Sequence, residues 1–177
     1  MILMIAGASH TGKTLLAQKL LERYQYPYLS IDHLKMGLIR SGYTNLTVYN
    51  DEELTAYLWP IIREMVKTAI ENGQNLIVEG VYIPFDWALS FEEEYLSEIR
   101  YLCLILAEDY IENHFDAIRD HACDIEKRLD DSDLTKQGLK EENQKNLQRC
   151  IEENCPYILV DGVYDVLEQA GGILCLT

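Results

Sequence analysis

An eight-residue, glycine-containing segment near the start of the chain constrains its fold more than any other feature. It fits the pattern G-x-x-x-x-G-K-[S/T] and lies between an apolar run, residues 2–6, and leucines at helical spacing in residues 13–23. Glycines permit a tight turn whose backbone N–H groups point at an anion, which the following helix dipole also favours. The pattern predicts a phosphate-binding loop made of Gly7, Ala8, Ser9, His10, Thr11, Gly12, Lys13 and Thr14.

Two side chains of this loop carry specific chemistry in the pattern. The Lys13 ammonium is expected to reach the β- and γ-phosphates of a nucleoside triphosphate, and the Thr14 hydroxyl to ligate Mg²⁺. The loop therefore predicts ATP and Mg²⁺ as cofactors. The alternative is a glycine loop that only joins a strand to a helix.

Four further apolar runs predict the rest of a sheet. They cover residues 28–31, 76–81, 101–107 and 157–160, and their apolar residues are continuous instead of alternating. Continuous runs are typical of parallel strands that helices cover on both faces. Residues 51–72 carry apolar side chains at helical spacing. Because no repeat or linker interrupts the pattern, we expect one α/β domain over residues 1–177.

The net charge of the chain argues against nucleic acid as a partner. There are 15 Lys and Arg against 30 Asp and Glu, and the net charge of −15 falls on residues 61–177. Such a field repels phosphate backbones, so we expect no nucleic-acid partner. No apolar run approaches the roughly 20 residues that span a bilayer, and no secretory signal is recognisable, so the expected location is cytoplasmic. The five cysteines are expected to be reduced, and the oligomeric state stays open.

Two carboxylates follow predicted strands. Asp32 comes directly after the second apolar run, and Glu79 lies near the end of the third. Ligands of open α/β sheets bind at the carboxyl ends of the strands, where the phosphate loop also lies. We expect Asp32 to accept a hydrogen bond from a substrate hydroxyl and Glu79 to support the metal. The alternatives are a helix cap for Asp32 and a water-exposed strand end for Glu79.

The loop resembles the P-loop of the nucleoside triphosphate-dependent small-molecule kinases, the adenylate kinase-like superfamily. The resemblance implies a three-layer fold with a five-stranded parallel sheet in the order 2-3-1-4-5 and a lid insertion, here approximately residues 115–135. Residues 77–81, IVEGV, followed by Pro84, are similar to the third strand of 2-phosphoglycerate kinase and zeta toxin-like kinases. Asp32 falls where those enzymes place a second-strand Asp.

Two arginines match the lid of this superfamily. Residues 128–131, RLDD, are similar to the R-x-D-D motif of the adenylate kinase lid, and Arg119 falls where a first lid arginine would start. The resemblance implies that Arg119 and Arg128 stabilise the transferring phosphoryl group. A further arginine of the family is replaced by Leu139 and Lys140. Surface ion pairs are the alternative role for both arginines.

The acceptor side departs from adenylate kinases. Residues 79–85, EGVYIPF, lack the arginine of the family's D-G-[FY]-P-R motif. Lys35 occupies the position of a monophosphate-binding arginine, and Arg40 lies within two turns of it, so both are candidates for binding an anionic acceptor. An apolar acceptor pocket and the core are the two alternatives for the aromatic residues Tyr43, Tyr49, Tyr57, Trp59, Tyr82 and Trp87.

These patterns predict an ATP-dependent kinase that acts on a small-molecule or nucleotide acceptor. The alternative from another class is a nucleotide-binding regulatory module without transfer activity, although the N-K-x-D motif of GTPases is absent. A third hypothesis is a zeta toxin-like kinase of a nucleotide sugar or a nucleic-acid end. The acidic composition opposes the nucleic-acid end.

Overall fold

The computed structural model describes residues 1–121 and 134–174, which form a parallel sheet with helices packed on both of its faces. A 3₁₀-helix, Trp87–Ser90, follows the third strand. The strands are β1 (Ile2–Gly7), β2 (Tyr28–Ser30), β3 (Leu76–Glu79), β4 (Ile99–Leu106) and β5 (Tyr157–Val160). The helices are α1 (Lys13–Tyr24), α2 (Ile31–Arg40), α3 (Asp51–Glu71), α4 (Glu93–Leu96), α5 (Glu108–His121), α6 (Lys136–Glu152) and α7 (Val166–Ile173).

The order of the sheet is β2-β3-β1-β4-β5, and every neighbouring pair is parallel. This confirms the predicted α/β fold and its strand order. Glu79 on β3 lies in register with Ile5 on β1 and with Ser30 on β2. The carboxyl ends of these three strands therefore meet at one edge of the sheet, which is where α/β folds bind their ligands.

Alternate residues of the strands supply two separate hydrophobic layers. On one face, Met4 and Val78 pack with buried side chains of α3, including Leu58. On the other face, Leu3 and Ile77 pack with the apolar side of α1 and with α7. Burial on both faces explains the continuous apolar sequences of the inner strands β1 and β4, whereas on the edge strand β5 only Ile158 and Val160 are buried.

All five predicted strand runs form strands, but β3 ends two residues before its apolar run does. Gly80 follows Glu79 with a φ of 158°, and a Cβ there would lie 2.9 Å from the Cβ of Ile31. A residue with a side chain would collide with Ile31 at the start of α2, so glycine fits at this position. Glu79 is thus the last residue of β3 and stands at the carboxyl edge.

The predicted lid segment, residues 115–135, begins within α5. Residues 122–133 lie outside the described residues, and with them Arg128 and the rest of the RLDD motif. Within the described ranges, no helix combines the length and the apolar character that crossing a bilayer requires.

Candidate functional site

The loop between β1 and α1 has the backbone of an anion-binding turn. Gly7, His10 and Gly12 have φ angles of 143°, 64° and 85°, a region that favours glycine. A Cβ on Gly7 would lie 2.5 Å from the carbonyl oxygen of Leu104 on β4. Gly12 occupies the N-cap of α1, so the first N–H groups of the helix border the loop and favour an anion there.

Hydrogen bonds within the loop close this turn around one carbonyl group. The Thr11 hydroxyl donates to the carbonyl oxygen of Ala8 at 2.9 Å, and Lys13 Nζ donates to the same oxygen at 2.7 Å. Lys13 is 7% exposed. The hydrogen bond to Ala8 therefore keeps the largely buried ammonium group beside the loop. In a phosphate-binding loop the lysine takes this position next to the phosphates.

A tyrosine from the far end of the chain braces the same loop. The Tyr164 hydroxyl donates to the carbonyl oxygen of Thr11 at 2.9 Å. A Cβ on Gly12 would lie 1.9 Å from that hydroxyl oxygen. Burial raises the pKa of Tyr164, and the nearby Tyr110 raises it further, so the hydroxyl keeps its proton at neutral pH. No motif in the sequence points to Tyr164.

Thr14 and Glu79 meet beside the loop. The Thr14 hydroxyl donates to Glu79 Oε1 at 3.3 Å, and Glu79 is 1% exposed. The alternative of a water-exposed strand end for Glu79 is therefore wrong. A hydroxyl and a carboxylate are hard oxygen ligands, and Mg²⁺ in nucleotide sites takes one or two carboxylates and completes its shell with waters and phosphates. The two residues fit that metal.

Asp32 lies in a hydrogen-bonded chain of four side chains. Lys35 Nζ donates to Asp32 Oδ1 and, at 3.2 Å, to the Tyr82 hydroxyl. The Tyr82 hydroxyl donates in turn to Asp51 Oδ1 at 3.1 Å. Ser30, not Asp32, occupies the N-cap of α2, so the capping alternative for Asp32 is wrong. These hydrogen-bonded side chains connect α2 to the start of α3.

The ionisation of this chain follows from its charges. Burial acts to lower the pKa of Lys35, but the bonds to Asp32 and Tyr82 outweigh it and raise that pKa. Burial raises the pKa of Tyr82 to about 12, although Lys35 opposes the change. At neutral pH Lys35 is therefore charged and Tyr82 is a neutral hydrogen-bond donor.

One cavity of about 930 Å³ borders both the phosphate loop and these four hydrogen-bonded side chains. Its first wall, named here the acceptor wall, consists of Asp32, Lys35, Asp51, Glu52 and Tyr82. Its second wall, the α6 wall, consists of Glu142, Lys145 and Arg149. Partial desolvation raises the pKa of Glu142, and the charge of Asp51, which lines the same cavity, raises it further.

The cavity brings together some of the predicted site residues but not all of them. Residues 7–10, Asp32 and Lys35 line it, whereas residues 11–14 and Glu79 are not among its lining residues. Arg40, at the end of α2, is exposed and does not line it. Arg119 is also exposed, and its ion pairs are with Asp116 at 3.1 Å and with its sequence neighbour Asp120 at 3.8 Å.

The predicted aromatic residues divide between the cavity and other places. Tyr49 and Tyr82 line the cavity. Trp59 packs edge-on against Phe91 in the core, and Trp87 stacks on Tyr101. Tyr43 is 78% exposed and its carbonyl accepts a hydrogen bond from Tyr57. Of these six rings, only that of Tyr49 both lines the cavity and is exposed, because Tyr82 is 2% exposed.

The fold is shared with solved kinases of low sequence identity. A sugar kinase of a Janibacter species is 14% identical, with a TM-score of 0.59 over 99% of this chain and 95% of its own. The deoxyadenosine kinase of M. mycoides is 13% identical, with a TM-score of 0.55 over 99% and 97%. The shikimate kinase of Bacteroides thetaiotaomicron is 14% identical, with a TM-score of 0.54 over 99% of both chains.

The likeness to these structures establishes the fold class: a parallel α/β sheet in the order that small-molecule kinases use. It extends over nearly the whole of both chains in each comparison. No protein-family model matches the sequence, and neither does any curated protein.

Proposed function

We propose that this chain is an ATP- and Mg²⁺-dependent kinase that transfers the γ-phosphoryl group of ATP to a hydroxyl of a small molecule. One observation carries the proposal: a single cavity is lined both by residues 7–10 of the phosphate loop and by Asp32. Phosphoryl transfer needs a donor phosphate and an acceptor hydroxyl held in line at one site. The phosphate loop has the chemistry to hold the donor phosphate, and Asp32 has the chemistry to bind the acceptor hydroxyl.

The donor side uses the loop and its neighbours. The backbone N–H groups of residues 7–13 and the Lys13 ammonium hold the phosphates of ATP. Thr14 and Glu79 hold Mg²⁺, which when bound neutralises charge on the phosphate oxygens. The 3.3 Å hydrogen bond between Thr14 and Glu79 supports this assignment, because it keeps both oxygen ligands on the same side of the loop.

The acceptor side uses Asp32. Its carboxylate accepts the proton of the acceptor hydroxyl as the hydroxyl oxygen bonds to the γ-phosphorus, and the bond from that phosphorus to the β–γ bridging oxygen breaks to release ADP. Lys35 orients the Asp32 carboxylate. The assignment of Arg119 and Arg128 to the transferring group stays a prediction, and Arg40 has no place in the proposed site.

Structural neighbours support a kinase, and one of the three acts on a sugar according to its name. Within this class, residues 77–81 and Pro84 support a relationship to 2-phosphoglycerate kinase and zeta toxin-like kinases. The similar residues include the metal-holding Glu79 and lie on the donor side. They do not specify the acceptor.

Measurement of ADP formation with a panel of hydroxylated acceptors tests the proposal. Lys13→Ala is expected to weaken ATP binding and to lower transfer by about 100-fold or more, because removing a donor to transition-state charge costs that much. Lys19→Ala, an exposed lysine one to two turns further along α1, is the matched control and should behave as the parent.

Calorimetry separates the kinase from a nucleotide-binding regulatory module. A kinase binds ATP and forms ADP only when an acceptor is present. Tight ATP binding without transfer to any acceptor contradicts the kinase and supports the module. Undiminished ATP binding and transfer by Lys13→Ala contradict both, because the phosphate loop carries both hypotheses.

A further inference from the structure

Lys35 is already neutralised within the protein. Its side chain is 13% exposed and donates to Asp32 and to the Tyr82 hydroxyl, and its ammonium also lies 5.0 Å from the centre of the Tyr82 ring. An ammonium has three donors. Because two of them are used inside the protein beside a full negative charge, Lys35 does not offer an uncompensated positive charge to a ligand.

The remaining acceptor wall is acidic. Asp51 and Glu52 lie in the first turn of α3 and border the cavity, and Arg40 does not reach it. Tyr82 donates a hydrogen bond to Asp51, but this hydroxyl is a neutral donor and brings no positive charge to the carboxylate. Apart from Lys35, the described residues of this wall therefore contribute negative charge and a hydroxyl group.

The α6 wall does not reverse this balance. Arg149 forms an ion pair with Glu153 at 3.4 Å, and its guanidinium lies 5.8 Å from the ring centre of Phe85. Lys145 acts electrostatically on Glu142 of the same helix. The charge of Asp51, which lines the same cavity, also acts on Glu142. Each of the two cations of this wall thus has a carboxylate nearby, Glu142 on α6 for Lys145 and Glu153 just after α6 for Arg149.

The sum of these charges bears on the acceptor. A phosphate or carboxylate entering this space loses its water and gains carboxylate neighbours, which is unfavourable. A hydroxyl group instead donates strong hydrogen bonds to carboxylates. The ring of Tyr49, which is 84% exposed, offers apolar surface for the carbon skeleton of a polyol, whereas Tyr82 is buried.

We propose that the phosphate acceptor is an uncharged, polyhydroxylated small molecule, that an added amine is tolerated, and that a phosphate or carboxylate group on the acceptor is selected against. This inference rests on the proposed kinase function and adds to it the charge class of the substrate. It replaces the anionic acceptor that Lys35 and Arg40 suggest in the sequence.

Acceptors that share a carbon skeleton but differ in charge test this inference. Two such series are glucose, glucosamine, gluconate and glucose 6-phosphate, and a nucleoside with its monophosphate. The readout is ADP formation with ATP and Mg²⁺, expressed as kcat/KM for each acceptor. We expect the uncharged member of at least one series to exceed its carboxylate or phosphate form by tenfold or more. A preference for the anionic form overturns the inference and leaves the kinase intact.

A pair of variants on α6 tests the stated cause. Glu142→Gln removes one charge from the cavity wall and is expected to raise kcat/KM for the anionic members relative to the uncharged one by several-fold. Glu141→Gln removes an equal charge from a neighbouring residue that does not line the cavity, so it should leave this ratio unchanged. An unchanged ratio in Glu142→Gln contradicts the electrostatic explanation.

The same measurements distinguish failure of the proposed kinase function from failure of the proposed acceptor class. If calorimetry shows ATP binding but no member of either series is phosphorylated, the proposed function fails and the acceptor class fails with it. If transfer occurs with anionic members alone, only the acceptor class fails. Transfer that favours uncharged members supports both.

Discussion

The Tyr164 hydroxyl donates a hydrogen bond to the main-chain carbonyl of Thr11 at 2.9 Å, although 153 residues separate them in the sequence. The peptide unit between Thr11 and Gly12 is planar, so its carbonyl and its N–H point in opposite directions. Holding the carbonyl on the side of Tyr164 fixes the Gly12 N–H on the other side. Tyr164 is thus a positioning residue for the phosphate loop.

Tyr164→Phe should weaken nucleotide binding. The variant keeps the ring and removes the hydrogen bond, whose net value of about 1 kcal/mol corresponds to roughly fivefold in the ATP dissociation constant. Calorimetry with ATP measures the change. Tyr157→Phe removes a hydroxyl from the start of β5 and serves as the control. Equal ATP affinity in the parent and Tyr164→Phe would mean that the loop holds its shape without the tyrosine.

Gly12→Ala should destabilise the protein in a way that depends on Tyr164. The substitution forces alanine to a φ of 85° and places its Cβ 1.9 Å from the Tyr164 hydroxyl oxygen. We expect a loss of about 2 kcal/mol or more in the free energy of unfolding. In a Tyr164→Phe background the loss should be smaller by about 1 kcal/mol, because the closest contact is gone. Urea denaturation of the four proteins of this cycle measures the coupling, and strictly additive losses would contradict it.

Glu79→Gln should raise the Mg²⁺ concentration needed for activity. The amide cannot supply the carboxylate charge, and changes to residues that support a metal ligand weaken metal binding by about 10- to 100-fold. A Mg²⁺ titration of ATP turnover measures the shift. Thr14→Ser keeps the hydroxyl and should resemble the parent, whereas Thr14→Val should resemble Glu79→Gln. A parental Mg²⁺ dependence in Glu79→Gln argues against a metal at this place.

Glu112 should make stability depend on acidic pH. It lies on α5 and pairs with Lys140 at 2.7 Å and Lys136 at 2.9 Å, both on α6. Hydrogen bonds from Lys140 and Lys136 lower the pKa of Glu112 from 4.5 to about 2. Because the folded-state pKa is depressed, the stabilisation is present above about pH 4.5 and disappears as the pH falls towards 2.

The measurement is the melting temperature between pH 5 and pH 2. Glu112→Gln should start lower at pH 5 and fall less steeply than the parent. The difference should shrink in 1 M salt, because the pairs are exposed to solvent. Glu141→Gln is the control on α6. Parallel curves for Glu112→Gln and the parent exclude a role for these pairs.

Local patterns made the donor side predictable. The phosphate loop is contiguous in sequence, so its spacing alone predicts the turn and the helix start, which the structure shows, and the proposed roles of Lys13 and Thr14. Asp32 and Glu79 could be placed because parallel strands bring their carboxyl ends to one edge. The strand order itself came from the resemblance to a known family and not from the spacing of the runs.

The acceptor side was less predictable because it depends on pairs of residues far apart in the sequence. Lys35 looks like an anion-binding cation until its bond to Tyr82, 47 residues away, is seen. Asp51 and Glu142 come from different helices, and nothing in either segment indicates that they face one cavity. Side-chain partners of this kind are fixed only when the helices pack.

The hydrogen bond between Tyr164 and Thr11 can form only late in the synthesis of the chain. Residues 7–14 of the phosphate loop leave the ribosome early, whereas Tyr164 is among the later residues to emerge. A nascent chain that stops short of residue 164 contains the turn without the hydrogen bond that orients it. Under the proposed function, we therefore expect tight nucleotide binding only from chains whose synthesis has passed residue 164.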